Sequence, residues 1–164
     1  MKRPLIPQRK FHKGLTLVEL IITLAILSIL AATVLPMAEV TVQRTKELEL
    51  RRALRTLRTA IDDYKEDFDK AVREKKVLSA VNETGYPKEL ENLVEGSDWG
   101  GLYPYKRRYL RTIPQDPFDE YELGWGLRSY EDEPDSSSWG GRDIYDVYSQ
   151  NERNGLDGTP YRSW

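Results

Sequence analysis

The sequence predicts an α+β fold: one long N-terminal α-helix, apolar in its first half and amphipathic in its second, packed on a small C-terminal antiparallel β-sheet. Three observations predict it. Residues 15–35 are apolar or small apart from Glu19, a run of about 21 residues, roughly 30 Å as a helix and enough to span a bilayer. Beyond Pro36, Leu50, Leu54, Leu57, Ile61, Tyr64, Phe68 and Val72 recur at steps of three and four among densely charged positions, which is one face of a helix. The last third instead holds short β-prone segments separated by Pro, Gly, Asp and Ser, the pattern of strands and turns.

Residues 1–14 form a basic leader with Lys2, Arg3, Arg9, Lys10 and Lys13 and no acid. The apolar run that follows is too long for the core of an ordinary secretory signal, contains a Glu, and lacks a clean small-residue cleavage site before the soluble part. Residues 15–36 therefore read as a membrane-spanning helix. A carboxylate near the end of such a span costs about 1–3 kcal/mol unless it is paired. A cut after Gly14 would leave a free amine at Leu15, one helical turn from Glu19. The amine of one chain and the acid of its neighbour would then neutralise each other in a bundle of such helices.

Pro36 stands where the span ends and is expected to break or kink the helix, because it removes a backbone donor. Residues 37–78 read as the amphipathic continuation, helical to about Lys75, and residues 79–164 as the globular part. There, Pro87 opens a short helix with Leu90, Leu93 and Val94 inward, and Gly96 stops it. Residues 97–104 are a loop. Strands are expected at 109–113, 123–130 and 143–149, with a turn at 114–118 and an acidic, Ser- and Gly-rich loop at 131–141.

Composition excludes several functions. With 164 residues the chain is one small domain plus its anchor. Five of the 25 basic residues precede residue 15, which leaves 20 against 27 acids, a net of −7; this argues against a general nucleic-acid binder. There is no Cys, so neither a disulfide framework nor a thiolate metal site exists. The one His, His12, lies in the leader. No phosphate loop or nucleophile–base pair is present, and Asp62 and Asp63 are adjacent on a helix and point apart. The chain does not read as an enzyme. The basic run from Arg44 to Arg58 reads as a solvated face near lipid headgroups or opposite acids of a neighbouring subunit. Trp99, Trp125, Trp139 and Trp164 read as cover for a small core rather than a sugar-binding surface.

The segment Lys13-Gly14-Leu15-Thr16-Leu17-Val18-Glu19-Leu20 resembles the processing site of type IV pilins and type II secretion pseudopilins. Leu15 stands where that family usually has Phe. The segments Ile113-Pro114-Gln115-Asp116-Pro117-Phe118 and Tyr145-Asp146-Val147-Tyr148-Ser149 resemble the major pseudopilin in particular. The resemblance implies the pilin fold, cleavage between Gly14 and Leu15 by a prepilin peptidase, methylation of Leu15 by the same enzyme, and guidance of assembly by Glu19. It implies a single-pass inner-membrane protein with a periplasmic globular domain, which polymerises with itself into a filament for protein secretion. Its implied partners are minor pseudopilins, an inner-membrane assembly platform with its ATPase, and membrane lipid, with no nucleic acid.

The resemblance also implies one calcium in the loop after the last strand, held by the Gln150 carbonyl and the side chains of Asn154 and Asp157. Calcium takes six to eight oxygens. The family commonly has paired acids in this loop, whereas this chain has an Asn and one nearby Asp. The other reading of the same residues is a loop that closes on itself through Asx-turns. A surface pilus subunit for adhesion or motility is the alternative within the family. From another class, the alternative is a membrane-anchored periplasmic binding domain that uses a Trp-rich face.

Overall fold

The computed structural model describes residues 14–80 and 82–164, apart from the side chains at 33, 35 and 36; the predicted leader residues 1–13 lie outside the described residues. The chain divides into two compact units, one ending at Thr41 and one covering Val42–Trp164. The longest element, helix α1, is Leu17–Arg73. The break expected at Pro36 does not divide it: the helix runs through that position. A proline within a helix removes one donor of the ladder and leaves the other bonds in place.

The first unit is the apolar part of α1. Its described large side chains, including Leu17, Leu20, Ile21, Leu24, Leu27, Ile29 and Leu30, are each at least half exposed. They lie all round the helix, so no single face is reserved for a core.

The second unit holds the core. Leu50, Leu54, Leu57 and Ile61 of α1 are buried with Leu93, Leu110, Phe118, Trp125, Ile144, Val147 and Tyr161. Further along the helix Phe68 and Ala71 bury against Trp99. The three- and four-residue spacing thus lines one face of α1 with the globular part. The helix ends in a Schellman motif: Lys76 N–H donates to the Ala71 carbonyl (2.9 Å) and Lys75 N–H to that of Val72 (3.0 Å). Lys75 takes the left-handed conformation, φ 58°, that such an ending requires.

Helix α2, Glu91–Glu95, is one turn long. Leu93 is fully buried on it, while Leu90 and Val94 pack against the core from its edge. Pro87 does not open this helix. It is buried ahead of it, and its carbonyl accepts the Ile144 N–H at 2.7 Å. Gly96 ends α2 at φ 73°, with its N–H on the Asn92 carbonyl at 3.0 Å.

Among the described residues the sheet has two strands, not the three expected. Strand β1, Trp125–Arg128, pairs antiparallel with β2, Asp146–Ser149, with Trp125 opposite Ser149 and Arg128 opposite Asp146. The segment 109–113 is not a strand. The Leu93 carbonyl accepts the N–H groups of both Tyr109 and Leu110, at 2.9 and 3.0 Å, so this backbone is tied to α2 instead. The two real strands are shorter than predicted because their flanks are bonded elsewhere. Ser129 N–H goes to the Asp132 carboxylate, Tyr130 N–H to that of Asp143, and Ile144 N–H to Pro87. A 3₁₀ turn, Tyr161–Ser163, follows the last loop.

Side chains rather than strands hold most of the loops. Asp67, 3% exposed, accepts Tyr103 Oη (2.8 Å), Arg107 Nη1 (2.8 Å) and Tyr109 Oη (2.6 Å). Burial, then the bond to Asp67, pushes the Tyr109 hydroxyl far above its ordinary pKa. Arg58 and Arg128 both donate to Asp146, at 2.7 and 3.2 Å.

Candidate processing and assembly site

The first helical turn is built from Thr16-Leu17-Val18-Glu19. Thr16 stands just before α1, and its Oγ1 accepts the Glu19 N–H at 3.2 Å. Its carbonyl accepts the Leu20 N–H at 3.0 Å. This is the N-cap half of a Ser/Thr-x-x-Glu capping box. Glu19 is the third residue of the helix, where the helix dipole favours a negative charge. Sequence reasoning missed the Thr16 cap, although the Thr-x-x-Glu spacing signals it.

Ahead of the cap, Gly14 is exposed, and a Cβ built there would meet nothing within 4 Å. Leu15 is 73% exposed. The Gly14–Leu15 peptide bond is therefore open to close approach by another protein, with Leu15 two residues ahead of the start of α1.

Within the apolar stretch the hydroxyls of Thr23 and Ser28 are satisfied locally. Thr23 Oγ1 donates to the Leu20 carbonyl at 2.9 Å, and Ser28 Oγ to that of Leu24 at 2.8 Å. Such back-bonding keeps a polar group tolerable in an apolar medium. The Glu19 carboxylate differs: it has no hydrogen-bond or ion-pair partner among the described residues. The helix is long and apolar enough to cross a membrane.

Of the predicted calcium ligands, Asp157 is already engaged by other groups. The Gln150 side-chain amide donates to the carbonyls of Leu123 and Gly124, at 3.3 and 3.2 Å, while the atom expected at the metal is its backbone carbonyl. Asn154 is exposed and forms an isolated bridge with Pro160. Asp157 Oδ1 accepts Thr159 N–H and Oγ1, at 2.9 and 2.6 Å, and its Oδ2 accepts Arg51 Nη2 at 2.9 Å. Those bonds, with Thr159 first and Arg51 after it, hold the Asp157 carboxyl below its ordinary pKa. A dication at Asp157 would have to displace a guanidinium and two Thr159 donors. The residues as arranged do not fit calcium; they form the self-closing Asx-turn. Among the described residues no group of three or more His, Cys, Asp or Glu is placed to hold a metal.

The same loop is anchored by residues the sequence did not single out. Buried Glu47 accepts Leu156 N–H at 2.8 Å and Tyr161 Oη at 3.0 Å. The Arg51 guanidinium lies 4.0 Å from the centre of the Trp164 ring. Nor do the four tryptophans share a face. Trp99 and Trp125 are buried, Trp164 packs against the core, and Trp139 alone is exposed.

Residues 9–35 match the family model described as the prokaryotic N-terminal methylation motif. Over 130 residues the chain is 29% identical to the type II secretion system core protein G of Pseudomonas aeruginosa, covering 71% of this chain and 86% of that protein. The chain is pseudopilin-like. No solved structure matches it. For a pseudopilin-like protein the methylation motif covers the cap, the exposed Gly14–Leu15 bond and the unpartnered Glu19 together. The match to protein G extends the likeness into the second unit, since 130 residues exceed the length of the helix.

Proposed function

We propose that this chain is a structural subunit, not an enzyme, that is cleaved after Gly14, methylated at Leu15, and polymerised into a periplasmic filament serving type II protein secretion. The relative's name as a core protein of that system supports the secretion role. The observation that carries polymerisation is the first unit itself. Among the described residues it is a capped helix with the Thr23 and Ser28 hydroxyls satisfied, its aliphatic side chains uncovered and the Glu19 carboxylate left without a partner.

Lipid covers the aliphatic surface before assembly, and the same helices of other copies cover it afterwards. Hydrolysis of the Gly14–Leu15 bond creates an ammonium beside the start of a helix. The helix dipole disfavours a positive charge there, and an apolar surrounding disfavours it more. A neighbouring Glu19 relieves both charges at once. The prepilin peptidase supplies the cut and the methyl group, while minor pseudopilins and an inner-membrane platform with its ATPase serve assembly.

The experiment is mass spectrometry of chains taken from assembled filaments, with two variants. Wild type should begin at Leu15, and Gly14→Val should remain as full-length precursor in the membrane. Glu19→Leu should stay inserted, because the span becomes more lipophilic, yet lose filaments at equal expression. Filaments built from uncleaved wild-type chains, or at normal yield from Glu19→Leu, would overturn the reading.

A further inference from the structure

Four tyrosines close their hydroxyls inside the fold: Tyr103 and Tyr109 on Asp67, Tyr161 on Glu47, and Tyr148 on the Ser137 carbonyl. Three others do not. Tyr86, Tyr130 and Tyr145 come from separate segments and meet at the surface of the second unit. Tyr86 and Tyr130 lie nearly parallel with 5.8 Å between ring centres, and Tyr145 stands edge-on to both at 5.2 and 5.3 Å. Tyr130 is 60% and Tyr145 45% exposed. None of the three hydroxyls has a hydrogen-bond partner among the described residues.

The backbone holds this cluster in place. Tyr130 N–H donates to the Asp143 carboxylate at 3.0 Å, and Tyr145 N–H to the Arg128 carbonyl at 2.8 Å. The Ile144 N–H on the Pro87 carbonyl draws the segment of Tyr86 against that of Tyr145. Rings fixed before a partner arrives lose little entropy on binding.

The helix beside the cluster supplies charge. Lys65 bridges to Asp69 at 2.5 Å, and its Nζ lies 5.7 Å from the centre of the Tyr86 ring. Asp62 and Glu66 stand on the same side of α1 as Asp69, at i, i+4 and i+7. Both are exposed and have no ion pair among the described residues. Burial first, then Tyr145, Asp62, Tyr130 and Asp69, raises the pKa of the Tyr86 hydroxyl. It therefore stays neutral while carboxylates of α1 bear on it. Tyr86 also lines a cavity of about 260 Å³ with Glu83, Asp143, Lys88 and Arg142, where the charges balance.

We propose that the Tyr86–Tyr130–Tyr145 cluster is a docking surface for a protein other than this chain, one that presents Arg or Lys side chains to it. A tyrosine face attracts a cation through its quadrupole, and the unpaired Asp62 and Glu66 attract the same cation. A guanidinium stacks on an aromatic ring and still donates to a carboxylate. Lys65 on Tyr86 is the same contact made within the chain. Charge selects the occupant. Asp62 and Glu66 would repel an anionic lipid surface, and a neutral sugar would leave both without a counter-charge. The surface does not depend on polymerisation.

The test uses the full chain in non-ionic detergent micelles and two fluorescent peptides, one of alternating Gly and Arg and one of alternating Gly and Glu, followed by anisotropy. The arginine peptide should bind and the glutamate peptide should not. Tyr130→Ala and Tyr145→Ala should each weaken binding by about threefold or more, while Tyr130→Phe, which keeps the ring, should bind as wild type does. Asp62→Asn with Glu66→Gln should weaken binding by about threefold. These two positions are exposed, so the pair decides the matter even where an alanine variant fails to fold. Glu152→Gln, exposed on the last loop, should leave binding unchanged. Raising the salt should weaken it.

Equal binding of the two peptides overturns the proposal. So does wild-type affinity in the Asp62→Asn/Glu66→Gln variant or in folded alanine variants, or an equal loss in Glu152→Gln. Loss of filaments in the same variants that lose the peptide would give the surface to a second copy and overturn the choice of partner. Absence of filaments from the wild-type chain removes the polymerisation reading, while specific peptide binding still upholds this one.

Discussion

The two units solve the problem of polar groups in opposite ways. In the first, Thr16, Thr23 and Ser28 close their hydrogen bonds within one turn, and the aliphatic surface stays uncovered. In the second, the aliphatic face of α1 is fully covered, and polar closure runs over long distances. Asp67 reaches Tyr109 across 42 residues, and Glu47 reaches Tyr161 across 114. The first unit closes the Thr16, Thr23 and Ser28 bonds locally, leaves the Glu19 carboxylate without a partner among the described residues and buries no core of its own. The second buries a core and ties distant segments together through a few buried carboxylates. A segment with no core of its own adds nothing to the core of the globular part, so its mutations leave that part's folding unchanged. A segment with a core registers them in folding.

Substitutions that act in one unit only sharpen this contrast. The largest effect is expected from Asp67→Ala. It leaves Arg107 and two tyrosine hydroxyls without their acceptor, so three hydrogen bonds to one charged group are lost, each worth about 1.5–3 kcal/mol. Chemical denaturation followed by tryptophan fluorescence should show this loss, with membrane retention unchanged. Next come paired truncations. Leu57 is fully buried, so Leu57→Ala should cost about 2–5 kcal/mol. Leu27 is 60% exposed, so Leu27→Ala should leave the same denaturation curve in place. A comparable loss in both would erase the distinction between the units.

The smallest effect concerns the last loop. Asp157→Ala should lower the melting temperature by a few degrees through loss of the Thr159 and Arg51 contacts. Calcium and excess chelator should give the same wild-type melt. A chelator-sensitive melt would show that a metal rearranges the loop. Three loop carboxylates, half-buried Asp119 and Asp132 and exposed Asp157, have depressed pKa values. Gly124 N–H leads the causes at Asp119, Ser129 N–H at Asp132 and the Thr159 hydroxyl at Asp157. A depressed folded-state pKa stabilises above the unfolded value of 3.8 and ceases to do so as pH falls through the folded value. Melting temperature should therefore hold at mildly acidic pH and drop below about pH 4.

The parts legible in the sequence are those whose determinants are local. The stripe from Leu50 to Phe68 is a periodicity, and the N-terminal methylation motif is a short linear pattern, so both could be read directly. The missing third strand could not. Nothing in residues 109–113 says that Leu93, sixteen residues earlier in the chain than Tyr109, takes its backbone donors. The calcium assignment met the same limit. Asp157 looks like a ligand until Arg51, distant by 106 residues, is seen beside it. The expected start of the short helix at Pro87 gave way because Pro87 is needed by Ile144.

Tyr161 has a consequence for the order of events during synthesis. It is 1% exposed, stacks on Phe118 at 4.3 Å between ring centres, and bonds Glu47 across 114 positions. Contacts of such separation are slow to form, because the intervening loop entropy must be met first. A chain emerging N-terminus first has its long apolar helix made well before Tyr161 exists. Throughout that interval Leu50, Leu54, Leu57 and Ile61 form a bare apolar flank on a nascent helix, open to aggregation or to a chaperone's grip.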